Sequence, residues 1–165
     1  MVKMKLYNTF NIKKNHKNSI ILIGNFDGLH LGHQKLFRLA KKYKKKYYSK
    51  IGVLTFEPMP KMFFNKNLDN FRISNLQQKI DNLKNLNVEF MIIKKFDRKF
   101  SKIKSKIFIQ EILGKKLQPK FIFVSNNFRF GNKREGNVKQ LIKFEKMCGY
   151  TVSYTHLTLP TIDRV

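Results

Sequence analysis

The residues best suited to chemistry cluster near the amino end, in the stretch IGNFDGLHLGH that runs from Ile23 to His33. His30 and His33 stand at positions i and i+3, so at a helix start their imidazoles share one side. Such a pair could ligate a metal, exchange protons, donate to a phosphate, or pack in a core. Gly24 and Gly28 allow a tight turn that brings backbone close to a ligand. Gly32 lies where the next helix should begin, leaving backbone N–H groups open to an anion. A polyphosphate there is held by backbone and side-chain donors together, and its charge favours the imidazolium form that a helix N-terminus otherwise disfavours. Metal ligation fits less well, because His16, Cys148 and the scattered carboxylates offer no recognisable ligand spacing; no protein-held metal is expected. A bare H-x-G-H in an arbitrary chain is most often two packed histidines. Behind a buried strand and a glycine turn, the pattern points to phosphate chemistry.

The elements that must position this stretch alternate along the chain. SIILIG is an apolar run ending in glycine, as a strand buried on both faces requires. Leu36, Ala40, Tyr43 and Tyr47 recur at helical spacing, which predicts a helix from about His33, with KKYKKKYYSK as its solvated face and end. KIGVLTFEP, closed by Pro58, is a second buried strand. Leu76, Ile80 and Leu83 mark a second helix with Ser74 as its N-cap. VEFMII is a third strand, Ser105 to about Leu117 a third helix and KFIFVS a fourth strand. NNFRFGNKREGN then reads as a glycine-punctuated loop and Val138 to Met147 as a fourth helix, while residues 1–18 form a basic arm without periodicity. Strands alternating with helices at this pitch predict a parallel sheet with right-handed crossovers, hence an open Rossmann-like α/β domain. Ligands bind such sheets beyond the carboxyl ends of the strands, so GNFDGLHLGH, TFEPMP, KKFDRKF and SNNFRFGNKREG should line one edge.

Composition narrows the alternatives. A chain of 165 residues with 42% apolar content supports one domain with a hydrophobic core. The run Ile20 to Ile23 is far too short for a membrane span or a signal core, and the lone Cys148 has no disulfide partner; a soluble cytoplasmic protein is expected. The net charge of +25 invites a nucleic-acid reading. However, Lys, Asn, Ile and Phe abound while Ala40 is the only alanine, which is the usage of a genome very rich in A and T. The lysines are also scattered, and they far outnumber the arginines that nucleic-acid readers favour. Neither nucleic acid nor membrane is the expected partner.

GNFDGLHLGH resembles the ATP-binding signature of the H-x-G-H nucleotidyltransferase superfamily, in the form found in bacterial FAD synthetase, the FMN adenylyltransferase module of bifunctional riboflavin kinase/FAD synthetase. VLTFEPMP, RISNLQQKIDNL, FDRKF, FIQEIL and FRFGNKREGNVKQL resemble successive blocks of that module in order and spacing, from about Ile20 to Tyr150. The resemblance implies transfer of AMP from ATP to FMN, giving FAD and pyrophosphate, with Mg²⁺ carried by the nucleotide. His30 and His33 are then the catalytic pair, stabilising phosphate and leaving-group charge. Gly24, Asn25, Phe26, Asp27, Gly28 and Gly32 shape the ATP cradle. Phe56, Pro58, Asn127, Phe128, Arg129, Phe130 and Gly131 line the flavin side; the aromatics suit an isoalloxazine and Arg129 a phosphate. At least one of Phe128 and Phe130 is expected in the core. Asn127 stands where many members carry aspartate, and Met59 where histidine is frequent. Another acceptor, such as phosphopantetheine or nicotinamide mononucleotide, and a basic nucleic-acid-binding protein are the competing readings.

The carboxyl end departs from this pattern. No lysine follows Lys146, and four of the six threonines fall in the last fifteen residues. TVSYTHLTLPTIDRV resembles translated sequencing-adapter read-through, since Val152 to Thr161 back-translate into such an adapter; the competing reading is a genuine strand, GYTVSYTHLTL. The division expected is therefore 1–150 as an incomplete FMN adenylyltransferase domain and 151–165 as a non-native tail. The serine-rich motif and arginine that complete the family's ATP site have no counterpart here, nor does the riboflavin kinase domain normally fused behind it. The chain as written is expected to have little or no adenylyltransferase activity.

Overall fold

The computed structural model describes residues 3–29, 31–65 and 75–155. Among these, six strands form one all-parallel sheet in the order β1-β4-β3-β2-β5-β8. They are β1 (Lys5–Tyr7), β2 (Ile20–Ile23), β3 (Ile51–Glu57), β4 (Phe90–Lys95), β5 (Phe121–Ser125) and β8 (Thr151–Thr155). The four central strands are the four predicted from their apolar runs. They are buried on both faces, which is why they read as unbroken hydrophobic stretches and not as alternating ones. One face, carrying Ile20, Leu22, Ile51, Val53 and Phe123, packs under α1 (Leu31–Tyr47) and α3 (Leu76–Asn85). The other, with Ile21, Ile23, Leu54, Phe56 and Val124, packs under the helical stretch Ser105–Leu117 and α6 (Val138–Lys143). Gly52 makes room within this core: a Cβ there would lie 2.1 Å from the ring of its register partner Phe90.

Several elements differ from the expectation. The basic arm is part of the fold: β1 adds a parallel edge to β4, and Met4, Phe10 and Ile12 are buried. Its pairing is with residues more than eighty positions away, which local periodicity cannot register. α1 begins at Leu31, two residues before the predicted start. Asn75, not Ser74, caps α3, accepting from Gln78 N–H while the Gln78 side chain accepts from Asn75 N–H. Ser74 itself lies outside the described residues. Two short helices, α2 (Pro60–Phe64) and α4 (Arg98–Ser101), occupy stretches for which the sequence predicts no element. Ser105–Ile107 (α5) continues into a π-helix over Phe108–Leu117. The loop after β5 contains a small antiparallel ladder, β6 (Arg129–Phe130) with β7 (Gly136–Asn137). The fourth helix breaks at Phe144 into α6 and α7 (Glu145–Cys148). Thr151–Thr155 pairs in register with Phe121–Ser125, burying Ser153 and Thr155 and exposing Thr151 and Tyr154. Residues 156–165 lie outside the described set.

Candidate active site

Strand order reverses between β2 and β5, because β3 and β4 build outward on one side of β2 and β8 on the far side of β5. A parallel sheet opens a crevice at such a point, beyond the strand ends. Leu22 is level with Phe123, so the two chain exits, Gly24 and Ser125, emerge side by side. They lead into the histidine stretch and the NFRFG loop respectively. The tertiary fold thus brings together at one edge the two segments that carry most of the sequence-predicted site.

On the β2 side, Gly24 N–H donates to Leu54 O at 3.1 Å, holding the exit against β3. A tight turn follows, in which Phe26, Gly28 and Leu29 all have positive φ, of 52°, 75° and 43°. Phe26 accepts that conformation because its ring is 2% exposed, edge-on to His33 at 5.1 Å and to Phe37 at 5.4 Å. Its contribution to the cradle is therefore from beneath, as a packed support. Asp27 to Leu29 form a single 3₁₀ turn, with Asp27 half-buried and Gly28 exposed. Asn25 is half-buried, and its Oδ1 is buried without a hydrogen-bond partner. An acceptor left in that state costs roughly 1–3 kcal/mol unless a ligand supplies the donor. Gly32 and His33 are buried in the first turn of α1, where N–H groups have no intrahelical acceptor. His30 lies outside the described residues.

On the β5 side, Ser125 donates its hydroxyl to Asn127 Oδ1 at 2.7 Å, fixing the start of the loop. Gly131 has φ of 81°, and a Cβ there would meet the Ser105 backbone at 2.8 Å, so only glycine fits. Phe130 is 8% exposed and core-packed, while Phe128 is half-buried and stacks on it at 5.4 Å. Asn127 and Arg129 are exposed and open onto a cleft of about 740 Å³, also lined by Arg134, Asn137 and Lys139. These last three were not singled out from sequence. The basic run in NKREGNVK was the available signal, but it is indistinguishable from the lysines elsewhere until the β6–β7 ladder folds it back.

Phe56 lies on the face opposite α1, and Pro58 is exposed at the β3 exit. An aromatic series joins Phe56 to the NFRFG loop through the half-buried Phe100: Phe56 to Phe100 at 5.5 Å, Phe100 to Phe108 at 6.4 Å, and Phe108 to Phe130 at 5.3 Å. FDRKF contributes Phe96 and Phe100 to it, with Asp97 capping α4 by accepting from Phe100 N–H. Sequence reasoning also missed Lys79, which is 1% exposed and sits with Glu57 and Thr55 at the end of β3. Among the described residues no group of three His, Cys, Asp or Glu is placed to hold a metal ion.

A parallel sheet of this order, with a glycine turn leading into a helix start at the switch point, defines a Rossmann-like α/β fold. The family model for FAD synthetase matches residues 12–163, and the chain belongs to that family. A bifunctional riboflavin kinase/FMN adenylyltransferase of Buchnera aphidicola from Acyrthosiphon pisum is 43% identical over 133 residues, covering 81% of this chain and 42% of the relative. The chain therefore spans less than half the length of this curated relative. Among solved structures, a Streptococcus pneumoniae protein described as a macrolide-efflux protein is similar with a TM-score of 0.77 and 25% identity, over 92% of this chain and 49% of the other. No helix among the described residues is long and apolar enough to cross a membrane. A pantoate-β-alanine ligase of Francisella tularensis, with an ATP analogue and β-alanine bound, shares the fold with a TM-score of 0.60 and 16% identity, over 99% of this chain and 71% of the other.

Proposed function

We propose that this chain carries the FMN adenylyltransferase site of a flavin-forming enzyme, taking ATP and FMN to FAD and pyrophosphate. The observation that carries the reading is the meeting, at the switch point, of the glycine–histidine turn and the aromatic, arginine-bearing NFRFG loop. ATP phosphates lie against the Gly24–Gly28 turn and the start of α1, with Asn25, Asp27, Gly32, His30 and His33 around them. FMN lies on the far side, with its ring against Pro58 and Phe128, with the buried Phe56 as support beneath, and with Asn127, Arg129, Phe130 and Gly131 shaping that wall. An FMN phosphate oxygen attacks the α-phosphorus, the bond to the β-phosphoryl oxygen breaks, and pyrophosphate leaves; no redox change or covalent enzyme intermediate is needed. The two substrates approach from opposite faces of the sheet, which suits an in-line displacement. His30 and His33 stabilise the growing leaving-group charge, and the buried setting of His33 strengthens that interaction.

Mg²⁺ fits this site as a cation carried by the nucleotide, since it prefers phosphate oxygens and water to a dedicated protein cage. When bound it neutralises phosphate charge. The reaction is placed in the cytoplasm, in a parent protein whose second half is a riboflavin kinase domain that makes the FMN. The adenylyltransferase domain is assigned to residues 1–150, with 151–165 read as a tail whose first five residues, Thr151–Thr155, extend the sheet beside β5. Calorimetric titration with MgATP and with FMN tests the reading directly. Binding of both supports it; affinity for random DNA that falls steeply with salt, with neither ligand bound, favours the nucleic-acid alternative.

A further inference from the structure

Lys79 breaks two local rules. It is 1% exposed, although lysine is almost never fully buried, and it lies in the first turn of α3, where a cation opposes the helix dipole. A position that violates local preference must be supported by something outside the helix. Here the support is the carboxyl end of β3: Lys79 Nζ donates to Glu57 Oε2 at 3.1 Å and is 3.4 Å from Thr55 Oγ1. Glu57 stands directly between Phe56 and Pro58 on the chain. The Asn75–Gln78 capping box fixes the turn from which Lys79 extends, so its reach to Glu57 is set by a rigid element. The Glu57 backbone is held separately, since its O accepts from Phe96 N–H at 2.9 Å.

We infer that Lys79 is a positioning residue that acts through Glu57 to hold the Phe56–Pro58 exit of β3 in the shape required by the acceptor side of the site. The inference rests on the adenylyltransferase reading given above. Replacing both partners of a buried ion pair by uncharged groups is often neutral, whereas removing one leaves the other charge buried and uncompensated. Lys79→Met should therefore be less stable than the Lys79→Met/Glu57→Gln double variant, and both take the ammonium away from the Glu57 side chain. Glu57→Gln should act on the same exit from the other partner, and Lys79→Arg, which keeps the charge, should restore part of the effect.

The test is titration of the 165-residue chain and of Lys79→Met, Glu57→Gln, the double variant and Lys79→Arg with FMN, by flavin fluorescence, and with MgATP, by calorimetry. FMN affinity is expected to fall about tenfold in each single variant and by no more in the double, as residues acting as one unit behave. MgATP affinity should stay within about twofold, and Lys79→Arg should recover FMN affinity at least in part. Equal loss of both ligands, additive losses in the double variant, unchanged FMN affinity, or a Lys79→Met chain that does not fold overturns the inference. If the unaltered chain binds neither ligand, the adenylyltransferase reading fails first and the inference with it.

Discussion

Asn25 lies in the turn that follows β2 and is placed there at some cost. The Asn25 Oδ1 is buried without a partner, so Asn25→Ala removes an unsatisfied group. The variant is expected to be as stable as the parent or more so in urea titration, while MgATP affinity drops about tenfold, reflecting loss of one strong polar contact. A combined loss of stability and of affinity would show that Asn25 holds the turn instead of the ligand. Gly131 gives the opposite pattern. With φ of 81° and Ser105 backbone 2.8 Å from its absent Cβ, Gly131→Ala should cost at least about 2 kcal/mol in denaturant unfolding, and FMN should bind more weakly because the loop shifts. Cys148 is an inert residue by comparison: burial pushes its thiol up, away from the thiolate needed of a nucleophile.

The amino-terminal arm shows what an element contributes beyond its length. His16 stacks on Phe90 with ring centroids 4.5 Å apart and shares a 2.6 Å hydrogen bond with the Tyr7 hydroxyl, so the arm is docked on β4 through aromatic contacts. Burial, followed by the nearby Lys50, Lys13 and Lys5, lowers its pKa from the ordinary 6.5. The folded state thus takes up the proton less readily than the unfolded chain. The stability linked to His16 is complete above 6.5 and is lost as pH falls through its lower folded value. Thermal midpoints should decline as pH falls from 6.5 to the lower folded value, and His16→Phe, which keeps a ring on Phe90 without a titrating group, should flatten the decline. At the start of α3, Asn75→Ala should cost about 1 kcal/mol and loosen the turn bearing Lys79, measurable by urea unfolding.

Across the whole molecule the charge of +25 is the dominant long-range term. Basic groups are found on the arm, α1, α3 and the NFRFG loop, so folding brings like charges together. Raising ionic strength from about 0.01 M to 0.15 M shortens the screening length from about 30 Å to about 8 Å, and the thermal midpoint is expected to rise with it. A midpoint insensitive to salt would mean that the lysines are already neutralised by pairing. The same concentration of cations lies beside the β2–β5 switch, where Arg129, Arg134 and Lys139 line the large cleft. Saturating MgATP, at about a hundred times its dissociation constant, should stabilise the fold by about 2.7 kcal/mol.

The sequence alone determined the central strands, the helices between them, the parallel sheet and the place of the glycine turn that leads into α1. Each rests on patterns carried within ten to twenty residues: unbroken apolar runs, helical spacing of Leu36, Ala40 and Tyr43, and glycines before a helix start. Tertiary structure alone decided that β1 joins the sheet, that Phe130 packs inward while Phe128 remains half-exposed, and that Arg134, Asn137 and Lys139 share a cleft with Arg129. It also decided that Lys79, one lysine among many in the chain, is buried against Glu57. Such facts depend on which distant segments meet, and strand order and burial are set by the packing of the whole sheet, not by any local spacing.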